Sequence, residues 1–248
     1  MCENKDSLTR ILIRSSPNFR LFQYNAISKR SNKLRDLKQR MDRLVPIHLI
    51  ARSIPPSIGD DLLHTWGYDL VAEYIQIVRK AEFPPAEPVL ELATGSGRMS
   101  AVLTRLGFSV ITGDLSNEEY GRTLERVTPA HSDKLQYLLL DMEKLPFRDH
   151  SVRSIVCLNT LHELQDPRTC LSEMIRVHDP DGTLVVGDFS ETGFTTMQRL
   201  HRAVYENDHT EGFLKMADAR PLLANAYHMI REVVTPLNIS YIASRNRR

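Results

Sequence analysis

Apolar and polar positions along this chain change their spacing in a regular order. Val89, Leu90 and Leu92 form a short apolar run broken by one acid, Glu91. Small residues follow from Ala93 to Gly97, and from Met99 onward apolar positions recur at helical spacing. Val110-Ile111-Thr112-Gly113-Asp114 reads as a second strand ending on an acid, and residues 135–141 as a third that ends on Asp141. Residues 152–158 predict a fourth strand and 170–177 a helix; a turn at Pro180-Asp181-Gly182 leads into a fifth strand over 183–188. Short strands alternating with helices predict an α/β domain with a mainly parallel sheet.

The flanks extend this order. Residues 32–44 carry Leu34, Leu37, Met41 and Leu44 at the spacing of a short amphipathic helix. Residues 60–80 predict one long helix, with Leu62, Leu63, Trp66, Leu70, Val71, Tyr74, Ile75 and Val78 along a broad face. Past the fifth strand, residues 189–215 hold Met197, Leu200, Val204 and Tyr205 at helical spacing. A further helix is expected over 217–230, with Pro221 as an alternative first residue. Residues 231–237 and 239–244 predict two closing strands joined by a tight turn at 236–238. The expected sheet has seven strands, the last antiparallel, helices on both faces, and a ligand at the strand carboxyl ends.

Chemistry concentrates in the first strand and turn. Glycine tolerates positive φ and lets a ligand approach the backbone, so Gly95 and Gly97 suit a nucleotide-binding turn. Asp114 lies 23 residues after Glu91, where a carboxylate in such a unit holds ribose hydroxyls. A dinucleotide loop would present three glycines to a pyrophosphate. Glu91 adds negative charge beside the turn, which disfavours that anion, and with it a dehydrogenase, but suits a ligand bearing an ammonium group.

The stretch from Glu91 to Gly97 resembles motif I of the class I S-adenosylmethionine-dependent methyltransferases, with Ala93 in place of the first glycine. Asp141, Leu145-Pro146-Phe147, Leu171 with Glu173 and Arg176-Val177, and Pro180-Asp181-Gly182 resemble, in order, the methyltransferase type 11 group over roughly residues 86–190. Val152-Arg153 stands where that group has Phe-Asp, and Pro180-Asp181-Gly182 where it has Pro-Gly-Gly. The resemblance implies a Rossmann-like fold, S-adenosylmethionine as cofactor, and methyl transfer to a small-molecule acceptor. It implies Glu91 for the methionine ammonium and the backbone of Ala93, Thr94, Gly95, Ser96 and Gly97 along the methionine moiety. Asp114 would hold the ribose, Leu115 would flank the adenine, Asp141 and Met142 would meet its edge, and Asn159 would reach the cofactor from the fourth strand. As helix N-caps, Asp114 and Asp141 would instead be structural.

Groups for the acceptor are named on the same basis. His162 is the candidate base and Asp188 the second, a structural histidine at a helix start being the alternative for the first. Trp66 and Tyr68 are candidate lid residues or plain core. His201, Tyr205 and His209 lie where the acceptor pocket forms, or on a helix surface. His162-Glu163 suggests a zinc helix, but H-E-x-x-H requires histidine where Asp166 stands, so no metal is expected there. Asn159-Thr160-Leu161-His162 is not N-P-P-Y, which argues against amino methylation of DNA bases.

Composition adds one asymmetry. Among 248 residues, 42% are hydrophobic and 25% charged, ordinary for a soluble domain, and no run approaches a membrane span. Three cysteines without metal-ligand spacing suggest a reducing, cytoplasmic setting. Residues 1–44 hold 11 Lys/Arg against 4 Asp/Glu, and residues 45–248 hold 21 against 27. A basic arm (1–44) thus precedes one domain (45–248), divided into helical lid (45–86), cofactor core (87–190) and acceptor-side helices and strands (191–248). The arm reads as a solvated extension, a tether to nucleic acid or another anionic surface, or an organellar targeting segment, and Met41 is an alternative start. Two further functions stay open: an RNA or protein methyltransferase tethered by the arm, and a catalytically silent cofactor-binding regulator, against which the presence of both Glu91 and Asp114 counts.

Overall fold

The structure, a computed structural model, describes residues 45–209, 212 and 214–244. The basic arm, with the helix expected at 32–44 and the alternative start at Met41, lies outside the described residues.

Seven strands form one sheet: β1 (Val89–Leu92), β2 (Val110–Asp114), β3 (Leu135–Leu139), β4 (Val152–Leu158), β5 (His178–Phe189), β6 (Met229–Val234) and β7 (Asn238–Ser244). Their order is β3-β2-β1-β4-β5-β7-β6, and β7 runs antiparallel to both neighbours. Strand order reverses between β1 and β4, and a crevice opens at the carboxyl ends of strands at such a switch point. The seven-stranded arrangement with an antiparallel last strand is as expected.

Central strands bury both faces, so their residues alternate between two cores. Val89, Val156 and Val185 join one cluster; Leu90, Ile155 and Leu184 join the other. The first is covered by α1 (Ile47–Arg52), α2 (Ile58–Thr65), α3 (Leu70–Ala81), α4 (Arg98–Arg105) and α7 (Glu191–Val204); α5 (Tyr120–Val127) adds Val127. The second is covered by α6 (Pro167–Val177) and α8 (Met216–Ala226).

Three elements differ from expectation. The single helix predicted over 60–80 is two, α2 and α3, because Gly67 adopts φ 86° and Asp69 caps α3 by accepting from the Ala72 N–H at 2.8 Å. A cap and a left-handed glycine end a helix whatever the apolar spacing. The turn expected at Pro180-Asp181-Gly182 is absorbed into β5 as an irregularity: Val152 pairs with His178 but Ser154 with Thr183. The helix expected over 217–230, with Pro221 as the alternative first residue, begins at Met216 and carries that proline inside its second turn. It also ends earlier, where Tyr227 leaves the helix to place its hydroxyl 2.9 Å from His178 Nδ1.

Glu73, buried in α3, joins the two ends of the domain. Its carboxylate accepts from the Thr235 hydroxyl and the Leu237 N–H at 3.0 Å, in the turn between β6 and β7, and from the side-chain amide of Asn238, the first residue of β7, at 2.6 Å. Among the described residues no helix is long and apolar enough to cross a membrane.

Candidate active site

The turn after β1 is built from unusual backbone. Ala93, Gly95 and Gly97 all take positive φ, at 57°, 48° and 77°. Gly97 opens α4, and a Cβ there would fall 2.7 Å from the Thr123 Cα, so only glycine fits. Asp114, at the end of β2, fastens the turn: Gly95 N–H donates to Oδ2 at 3.0 Å and Leu115 N–H to Oδ1 at 2.9 Å. The Thr94 and Thr112 hydroxyls meet at 2.6 Å beneath it.

Glu91 is buried under this turn and accepts from the Ser100 N–H at 3.1 Å and from the Ser100 hydroxyl. Burial pushes its carboxyl up to about 7, against the hydrogen bonds from Ser100 and Thr112 that favour the charged form; Asp114 pushes it further up. Such a carboxyl ionises readily once a cation comes beside it.

A cavity of about 670 Å³ opens at the strand carboxyl ends. Glu91, Ala93, Thr94, Gly95, Ser96, Asp114, Leu115, Asp141, Met142 and Asn159 line one end, and His162, His201 and Tyr205 the other. Asn159 takes φ 55°, donates from its amide to the Tyr74 hydroxyl at 3.0 Å, and keeps a buried Oδ1 without a partner. Neither Asp114 nor Asp141 caps a helix: α5 begins at Tyr120, and Asp141 accepts from the Glu143 N–H at 2.9 Å in a turn. A buried acid, a second carboxylate held at both oxygens and an orphaned amide oxygen fit an amino- and hydroxyl-bearing nucleoside ligand.

Four predicted site residues stand outside the cavity lining. Gly97 supports the turn from behind. Asp188 is buried behind His162. Trp66 and Tyr68 pack on the core, with the Arg199 guanidinium 3.8 Å over the Trp66 ring. The break at Gly67 makes α3 the element that reaches the cavity, through Tyr74, joined by Met197 and Leu200 of α7. Burial pushes the Tyr74 phenol up to about 12, so it stays protonated.

At the far end, His162 is fixed from both sides of its backbone and ring. Its N–H donates to Asp188 Oδ2 at 2.9 Å, and its Nδ1 lies 2.7 Å from Asp188 Oδ1. Burial opposes charge on His162, but Asp188 and Glu163 outweigh it and push the imidazole up to about 9. His209 is driven the other way, to about 4, by burial and by the neighbouring His162 and His201. The His209 ring packs 4.8 Å from that of His162 and 4.6 Å from that of His201, with Phe189 and Phe194 alongside. His201 pairs through Nδ1 with Asn207 at 3.0 Å, and Tyr205 is half exposed. Glu163 and Tyr74 are lining residues that sequence reasoning missed; His209, for which acceptor pocket and helix surface were both open, lines the cavity and is buried against His162. No local signal marks the meeting of His209 with His162, which lies 47 residues earlier in the chain.

Residues 90–186 match the model of a family described as a methyltransferase domain. A demethylmenaquinone methyltransferase from Clavibacter sepedonicus is 29% identical over 150 residues, 60% of this chain and 58% of that one. Another of that name, from Beutenbergia cavernae, is 32% identical over 117 residues, 47% of each chain. The chain spans about half the length of the curated relatives it matches. A SAM-dependent methyltransferase from Aquifex aeolicus, 20% identical, shares the fold with a TM-score of 0.50 over 68% of this chain and 88% of that one.

Proposed function

We propose that this chain is a class I S-adenosylmethionine-dependent methyltransferase that transfers a methyl group to a small, ring-bearing acceptor. The observation that carries this reading is the buried Glu91 carboxyl beside the glycine turn, with Asp114 across from it at the end of β2. A ligand with an ammonium near Glu91 and vicinal hydroxyls near Asp114 satisfies both acids at once.

Glu91 holds the methionine ammonium, and the backbone from Ala93 to Gly97 follows the methionine chain. Asp114 accepts from both ribose hydroxyls through the lone pairs that Gly95 and Leu115 leave free. Leu115, largely exposed in the protein alone, covers one face of the adenine. Asp141 accepts from the adenine amino group, and the Met142 N–H faces the ring edge. Asn159 Oδ1 gains a donor from the cofactor. When bound, S-adenosylmethionine supplies a methyl already activated on a sulfonium, so the protein's task is placement and exclusion of water.

The acceptor enters at the end formed by His162, Phe189, His201 and Tyr205. Aromatic rings there suit a planar, apolar acceptor, in keeping with relatives named for demethylmenaquinone. Asp188 orients His162 at this end of the cavity, with Nε2 as the ring nitrogen turned toward the acceptor. Two buried free thiols, Cys157 and Cys170, support a reducing compartment, the cytoplasm.

Calorimetric titration with S-adenosylhomocysteine, with NAD in parallel, tests this reading. Saturable binding of the former alone, lost in Glu91→Gln, is expected. Binding of NAD, or of neither, overturns it.

A further inference from the structure

We propose that His162, Glu163 and His209 form a site for one divalent transition-metal ion at the acceptor end of the cavity. Each offers a ligand atom, and the three atoms lie within 4.8 Å of one another. Ligands held about 2.0–2.1 Å from a tetrahedral ion sit roughly 3.4 Å apart, so binding asks the widest pair to close by up to about 1.4 Å.

The carboxylate that orients the first ligand is already in place. His162 donates its Nδ1–H to Asp188 at 2.7 Å, which leaves Nε2 as the nitrogen that binds an ion on giving up its proton. That Nε2 is buried without a hydrogen-bond partner, 3.7 Å from the Glu163 carboxylate. His209 is 9% exposed, its Nδ1 is buried without a partner, and its backbone N–H is pinned to Gln198 at 2.8 Å. Burying two ring nitrogens side by side with nothing to bond is costly, and one cation satisfies both. Glu163 brings the negative charge that such an ion needs. Its side chain is 63% exposed, so coordination positions on the solvent side stay open to a ligand.

The donor set selects the ion. Two imidazole nitrogens and one carboxylate suit zinc, iron(II), cobalt, nickel or manganese, whereas magnesium and calcium prefer all-oxygen sites. The sequence has His162-Glu163 without the second histidine of the helical zinc motif at Asp166; the fold brings His209 from beyond α7 in its place. Resting on the methyl-transfer reading, the ion holds an oxygen of the acceptor and lowers the pKa of its hydroxyl, and His162 then acts as a ligand and not as the base.

The full chain, stripped with chelator and dialysed, is titrated with Co²⁺ by visible absorption and with Zn²⁺ by calorimetry. One ion per chain is expected, weakened at least about tenfold in His209→Ala and in Glu163→Gln, and about 10- to 100-fold in Asp188→Asn. Glu163→Gln is at an exposed position and keeps the test sound should a buried variant misfold. No saturable binding near one ion per chain, or affinity unchanged in both His209→Ala and Glu163→Gln, overturns the site. Metal binding without S-adenosylhomocysteine binding would instead remove the methyl-transfer reading and leave the metal site standing.

Discussion

Asp60, in the helix two elements ahead of β1, grips Arg98, the first residue of the helix that follows the glycine turn, at 2.8 Å. Its other oxygen holds Arg126 of α5 at the same distance, and the acid is 3% exposed. One carboxylate therefore locks three helices around the turn.

Removing it should be costly. Burial by itself would raise the Asp60 pKa, but Arg98 and Arg126 outweigh it and hold the carboxyl well below its ordinary 3.8. A folded-state value beneath the unfolded one contributes stability that is complete above the unfolded pKa and lost as pH falls through the folded one. Asp60→Asn should lower unfolding free energy by about 3–5 kcal/mol at neutral pH, since two arginines lose their counter-charge. Urea denaturation at pH 7 checks this, and the gap to the wild type should narrow on acidification below the unfolded value. An equal midpoint at pH 7 would show that the arginines find other partners.

Glu91 has the opposite sign. Its carboxyl is raised from 4.5 to about 7, so between those values the folded protein keeps a proton that the unfolded chain releases, and stability falls as pH rises. An ammonium-bearing ligand favours the ionised form. Binding of S-adenosylhomocysteine slightly below neutral pH should therefore release protons, measurable by calorimetry in buffers of different ionisation enthalpy. Glu91→Gln should abolish that release and most of the affinity. Release that persists in the variant would trace it to another group.

Asp114→Ala should weaken S-adenosylhomocysteine binding by a few kcal/mol, the scale for losing hydrogen bonds to a charged group. The variant also frees the Gly95 N–H, so Asp114→Asn, which keeps an acceptor oxygen, should fall between it and the wild type. Calorimetric affinities in that order are the expected result.

Gly97→Ala should impair the turn without touching any polar group. The left-handed φ of 77° costs a non-glycine residue about 1–2 kcal/mol, and the new Cβ would meet the Thr123 Cα at 2.7 Å. Backbone must shift, so both melting temperature and cofactor affinity should drop together. A drop in affinity alone would place the effect at the ligand and not in the α4–α5 packing.

What sequence reasoning reached and missed divides by distance along the chain. Glu91, Gly95, Gly97 and Asp114 were legible because strand, turn and helix signals are local, and the sheet followed from their repetition. Gly67 and Asp69 did announce the break between α2 and α3, but a continuous apolar face masked it. The grip of Asp60 on Arg98 and Arg126, the pairing of Tyr74 with Asn159 and the approach of His209 to His162 join residues 38 to 85 positions apart. No periodicity encodes such meetings; they follow from helix docking. Trp66 and Tyr68 were candidates for the lid, or plain core, because they lie ahead of the first strand; past the break at Gly67 it is Tyr74 that lines the cavity.

The Glu73 carboxylate bears on how this protein is cut. It sits before the stretch that matches the family model, and its partners, Thr235, Leu237 and Asn238, lie after it. A fragment trimmed to residues 90–186 would lose both halves of that clasp, the hairpin that seals the edge of β5, and the helices roofing the first core. The stretch that the family model covers is thus smaller than the unit that can cooperate in unfolding. Fragments meant for crystallisation or fusion should begin before Ile47 and run through Ser244.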